Sequence, residues 1–117
     1  MTVCRKPCPS CPWRRDQDAA AIPHFRLELA EALAATCPDS RGMGPDFGAA
    51  QFACHQSRPG DEIVCAGWLA TQGAAHPGVR LNVALGAAPV DALSPGEDWP
   101  PLHAEFSEVI AKLRASA

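Results

Sequence analysis

Between Pro23 and about Ala35 the apolar residues recur with a helical period. Phe25, Leu29 and Leu33 fall at i, i+4 and i+8, with Ile22 and Ala32 beside them. Glu28 and Glu31 lie off that stripe, and Pro23 suits a first helical turn. The spacing predicts a helix over 22–36, stopped by Pro38 and the turn cluster that follows it. A second stripe, Leu102, Phe106, Val109, Ile110 and Leu113, predicts a C-terminal helix over 101–115. Its acids Glu105 and Glu108 come early and its bases Lys112 and Arg114 late, as the helix dipole favours.

The middle of the chain is less regular. Val79, Leu81, Val83 and Leu85 alternate with Arg80, Asn82 and Ala84, which is a strand period. Ala84 and the Leu81–Leu85 pair also fit a helix. Helix is the preferred reading, because the other strand signal, Gln51–Gln56, offers little sheet to join. In that short run Phe52 and Cys54 share one face, and Ala53 and His55 the other. Residues 61–71 fit a helix capped by Asp61, with Val64, Trp68 and Leu69 facing inward and Gly73 closing it. Residues 1–21 form a loop, since Pro7, Pro9 and Pro12 forbid a regular helix there. The expected fold is one small domain over 1–117, mainly α, with α+β as the alternative.

Composition adds a constraint. The chain is 47% hydrophobic, but alanine supplies much of this and tyrosine is absent. Twelve prolines and nine glycines keep the elements short. So lean a core calls for a staple, either a metal or disulfides. The net charge of -3 argues against a chain that binds nucleic acid as a whole. Residues 1–15 nevertheless carry Arg5, Lys6, Arg14 and Arg15 and no acid, so this loop is the place where an anion would be met. No apolar run approaches the ~20 residues of a membrane span, and no secretory h-region opens the chain. A cytosolic protein is expected, in which cysteines act as metal ligands or redox groups before they form structural disulfides.

The six cysteines then carry the chemistry. Cys8 and Cys11 form C-x2-C, which lets two sulfurs reach one ion from a single turn. Cys54 and Cys65 complete a four-thiolate set, joining the N-terminal loop to the middle of the chain at 51–86. His55 adjoins Cys54 and is an alternative ligand or a donor to a ligand sulfur. Cys4 and Cys37 are left out, the first near the terminus and the second at a helix end as a small buried hydrophobe. Three readings compete in this order: structural zinc, a [4Fe-4S] cluster on the same thiols, and a thiol-redox pair at Cys8–Cys11. The redox reading lacks the upstream strand and the helix N-terminus that it needs.

The runs P-C-P-S-C-P-W-R-R, F-A-C-H-Q-S and C-A-G-W-L resemble an uncharacterised family of small proteins from actinobacteria, other bacteria and their phages. Its members share P-C-x-x-C-P-W-R, F-x-C-H-x-S and C-A-G-x-L in this order. The likeness covers roughly 7 to 86 and extends to Cys8, Cys11, Pro12, Trp13, Arg14, Cys54, His55, Ser57, Cys65, Ala66 and Gly67. It implies the same cysteine set and no particular activity.

No catalytic group stands out, and whether the chain is an enzyme stays open. There is no P-loop, dinucleotide fingerprint or nucleophile elbow, and no glutamate precedes Cys8 to serve a zinc-bound water. His24, His76 and His103 read as solvated residues beside loops or helix starts. Arg14 and Arg15 are candidate anion contacts, with pairing of Arg14 to Asp16 or Asp18 as the favoured alternative. The expected function is a metal-binding protein, with zinc as cofactor, acting through a protein or nucleic-acid partner. The alternative is an iron–sulfur protein with a sensing or enzymatic role.

Overall fold

The computed structural model describes residues 3–17, 21–22, 25–38, 43–45, 50–53 and 63–115. Among the described residues four α-helices carry the fold: α1 (Leu27–Leu33), α2 (Ala66–Gln72), α3 (Pro77–Ala84) and α4 (Phe106–Ala115). Short 3-10 turns extend α1 over Ala34–Thr36 and α2 over Gly73–Ala75, and another occupies Val90–Leu93. The fold is mainly α. Extended pairing among the described residues is confined to single bridges: Val3 with Val64, Ala53 with Val64, and Arg14 with Leu102. The radius of gyration is 13.4 Å, matching the ~13 Å of a compact single domain of this length.

The ambiguous segment after Pro77 is a helix. His76 and Pro77 explain why, one capping the helix and the other holding its first turn. Helix α2 begins at Ala66, later than the expected start, and Asp61 lies outside the described residues. Gly73 does follow it, in right-handed backbone geometry.

The two helices with the clearest stripes start later than their spacing predicts. Helix α1 begins at Leu27 after an extended Arg26, so Phe25 precedes it and the stripe through Phe25, Leu29 and Leu33 does not form. Ala30 is buried instead, with Leu27 and Leu33 half-buried, and Leu29 is 43% exposed. Helix α4 begins at Phe106, because Leu102 is drawn into a bridge with Arg14 and the His103 N–H donates to the Trp13 carbonyl at 2.8 Å. The end of the N-terminal loop thus competes for residues that would otherwise form a helical turn. Glu108, in the first turn of α4, accepts the Glu105 N–H at 3.0 Å, half of a capping box.

The core is aromatic where the elements meet. Trp13, Phe52 and Phe106 pack with ring centroids 5.3–5.9 Å apart, two of the three contacts edge to face. One comes from the loop, one from the bridged segment and one from α4. Around them lie Trp68, Leu69, Val79, Val109 and Leu113, all buried.

Candidate metal centre

The C-P-x-C-P-x-R spacing makes two successive turns. The Cys11 N–H donates to the Cys8 carbonyl at 3.0 Å, and the Arg14 N–H to the Cys11 carbonyl at 3.2 Å. Pro9 and Pro12 each take the second position of a turn, where their fixed φ is favoured. Cys8 is half-buried, with its Sγ 3.7 Å from the Ser10 hydroxyl, while Cys11 is 0% exposed.

Cys65 reaches this knuckle from the other side. Val64 is clasped between Val3 and Ala53, the Cys4 N–H donates to the Val64 carbonyl at 3.1 Å, and the Cys65 N–H to the Phe52 carbonyl at 2.9 Å. These bonds fix Cys65 immediately before α2, with its Sγ 3.7 Å from the Cys11 Sγ. Cys65 is buried as well. The glycine of C-A-G-W makes this approach possible. A Cβ on Gly67 would stand 2.8 Å from the Trp13 Cβ and 3.2 Å from the Cys11 Sγ.

The neutral thiols lie within hydrogen-bond reach, but ionising Cys11 beside Cys65 is costly without a cation. The Cys65 contact, with burial adding to it, pushes the Cys11 thiol well above its ordinary range. Cys8 and a hydrogen bond from the Trp13 backbone act the other way and favour the thiolate. A second negative charge at this distance from a thiolate is repelled unless a nearby positive charge offsets it. Backbone donation to sulfur is what a knuckle supplies, and a bound dication would deprotonate the thiols outright.

Cys54 and His55, together with Ser57, lie outside the described residues. Among the described residues, no three histidine, cysteine, aspartate or glutamate side chains are grouped so as to hold a metal. The described part of the site is therefore the Cys11–Cys65 pair with Cys8 in the adjoining turn. Cys4 is half-buried and Cys37 is buried beside the Thr36 hydroxyl at 3.5 Å, its thiol pushed up by burial.

The two arginines after the knuckle are engaged within the molecule. Arg14 forks onto Asp16 at 2.8 and 2.7 Å, which holds that carboxyl below the usual carboxylate range, and reaches the Cys8 carbonyl at 3.4 Å. Arg15 donates to the Leu102 carbonyl at 3.0 Å and meets Glu108 at 3.4 Å. Lys112 of α4 donates to the carbonyls of Arg15 and Gln17 at 2.9 and 2.8 Å. Arg15 and Lys112 strap the loop to the C-terminal helix.

Two histidines read as solvated are buried. His76 is 1% exposed and caps α3, its Nδ1 accepting the N–H groups of Gly78 and Val79 at 3.1 and 3.3 Å. That fixes the tautomer, so Nε2–H donates to the Ala50 carbonyl at 3.2 Å, and the ring stands edge-on to Trp68. The H-P-G order, an acceptor before a proline at the helix start, was the available signal. His103 is 6% exposed, held by the backbone bond of its segment to Trp13, and its ring nitrogens lack hydrogen-bond partners. Glu108 comes within 3.5 Å of its Nδ1, but burial outweighs that attraction and pushes the imidazole below its ordinary range. His24 lies outside the described residues.

A family model described as a family of unknown function (DUF6283) matches residues 3–116, and the chain belongs to that family. No curated protein and no solved structure matches the chain.

Proposed function

Starting from that membership, we propose that the chain is a cytosolic protein built around a structural zinc ion held by Cys8, Cys11, Cys54 and Cys65, and that it acts through a protein partner. The observation that carries the reading is the 3.7 Å separation of the Cys11 and Cys65 sulfurs, from cysteines 54 positions apart. With Zn–S bonds of about 2.3 Å, the edge of a tetrahedral thiolate site is about 3.8 Å. In a cubane cluster each thiolate takes its own iron and the sulfurs diverge, so the same distance speaks against [4Fe-4S]. Cys8 would join from the turn that already carries Cys11. Cys54 is the fourth ligand of choice because it follows Ala53, which bridges to the neighbour of Cys65.

Four protein ligands close the coordination sphere, and the burial of Cys11 and Cys65 keeps solvent from it. A closed site stabilises a fold and leaves no open position for substrate. When bound, the ion supplies folding free energy to a core short of large apolar residues. A protein partner is favoured over nucleic acid because Arg14 and Arg15 are engaged internally, and because α3 and the turn after it expose Leu81, Leu85 and Val90 at 43%, 72% and 69%.

Elemental analysis of protein purified without oxygen tests the metal. About one zinc per chain is the expected result. Iron with absorbance near ~400 nm would replace zinc by the cluster, and the absence of both metals would refute the site. A gel shift with duplex or single-stranded oligonucleotide at physiological salt would overturn the choice of partner.

A further inference from the structure

A cleft of about 700 Å³ opens between the first described residues and the 89–99 loop. Its volume is that of a small-molecule site. Val3, Ala66, Pro89, Ala92 and the indole of Trp99 give it an apolar lining. Trp99 is half-buried, and its backbone N–H closes a turn by donating to the Gly96 carbonyl at 3.2 Å. A Cβ on Gly96 would come within 2.8 Å of the indole Cδ1, so the glycine permits the ring to lie flat on the turn as a wall.

The charged groups that line the cleft are divided by segment. Arg5 comes from the N-terminal loop, and Asp91 and Glu97 come from the 89–99 loop. Among the described residues none of the three makes an ion pair with another. The cleft therefore presents a cation, two anions and an apolar wall with an aromatic face, all available to a ligand.

We propose that this cleft binds a small zwitterion with an apolar body, of the size of an apolar dipeptide. Arg5 takes the carboxylate, Asp91 and Glu97 take the ammonium, and the side chains lie on Trp99 and the prolines. A simple anion would meet two carboxylates, and a simple cation would meet Arg5. An uncharged apolar ligand would leave all three groups unused. The proposal is independent of the metal, since no lining residue is one of the four proposed zinc ligands.

The test is a titration of the 117-residue chain with L-leucyl-L-leucine, followed by backbone amide shifts and by tryptophan fluorescence, which no tyrosine obscures. Saturable binding with shifts confined to the cleft is expected. N-acetylation or C-terminal amidation of the dipeptide should each weaken it about three- to fivefold, the scale of an exposed ion pair. Arg5→Ala should abolish the penalty for amidation, and Glu97→Gln combined with Asp91→Asn the penalty for acetylation. These are surface changes that leave the fold intact, so each variant reports on the cleft. No cleft shifts at any soluble concentration of the dipeptide, or equal affinity for the free and blocked dipeptides, would overturn the proposal. So would shifts that survive all three substitutions unchanged.

Discussion

The close approach of α2 to the knuckle makes Gly67 a sharp test of the site. In Gly67→Ala the new Cβ would stand 2.8 Å from the Trp13 Cβ, a contact that real side chains essentially never make. That partner is not a flexible tip, because Trp13 is fully buried and its carbonyl is tied to the His103 N–H. Overpacking of this kind costs about 1–3 kcal/mol. Alanine would recover up to about 1 kcal/mol of helix propensity, less in a first turn. The net loss is about 1.5 kcal/mol, or about 6 °C in Tm for a domain of this size. Gly73→Ala is the control. Its new Cβ would meet the Leu93 and Leu69 Cδ2 methyls at 3.0 and 3.2 Å, where a side-chain end has to give by only a few tenths of an ångström. Gly73 also has helical geometry, so propensity should offset the crowding and Tm should move by less than about 2 °C. Thermal unfolding followed by circular dichroism, with zinc in excess, compares the two. Equal melting temperatures would show that α2 does not press on the knuckle as described.

Cys11→Ser should lower Tm and solubility more than Cys4→Ser, since only the first removes a sulfur from the buried pair; equal losses, measured on both variants purified in parallel, would discredit the ligand set. His76→Ala should cost about 3 kcal/mol in urea unfolding, from the lost cap and the vacated contact with Trp68, and His76→Asn should recover part of it. The lowered imidazole of His103 gives a pH signature. Its neutral form is favoured in the folded state, so its contribution is fully present above its ordinary value of 6.5 and is lost as pH falls below that value toward the folded one. Urea midpoints from pH 7.5 to 5.0 should therefore drop in the parent protein and be flatter in His103→Gln. Asp16 and Glu108, whose carboxyls are held low, lose their contributions only at more acidic pH, below the ordinary carboxylate value.

What the sequence reveals here depends on whether a residue's partner is near it in the chain. The turns of the knuckle were legible, because Pro9 and Pro12 act on their own neighbours. So was the α-helical nature of the fold. The start of α4 was not legible, because Leu102 and His103 answer to Trp13 and Arg14, nearly 90 positions away. The same holds for α1, where a regular stripe pointed to Leu29 and the structure buries Ala30. An alanine-rich helix has too few large side chains to fix its own buried face, and packing against α4 decides it. His76 and His103 were misjudged because a solvated histidine is the default for the residue type. Their burial follows from one cap and one long-range bridge, and only the cap has a local signature.

The N-terminal loop is held by two sets of ties with different chemistry, which makes the contribution of the proposed zinc separable. One set is the thiol pair and the turns around it, in which the Cys11 and Arg14 N–H groups bond to the Cys8 and Cys11 carbonyls. The other set needs no sulfur. It comprises the Arg15 N–H on the Pro101 carbonyl, the His103 N–H on the Trp13 carbonyl, and Lys112 on the carbonyls of Arg15 and Gln17. Chelation should remove the ion's bonds from the first set while leaving the second in place. Amide hydrogen exchange with and without a chelator reads the two separately. The Cys11 and Arg14 amides should lose protection on metal removal, and the Arg15 and His103 amides should keep most of theirs, since local opening needs less free energy than global unfolding. Loss of both sets together would mean that the metal holds the whole domain. Protection of Cys11 and Arg14 that ignores the chelator would mean that no metal sits between these sulfurs, and the zinc reading would fall.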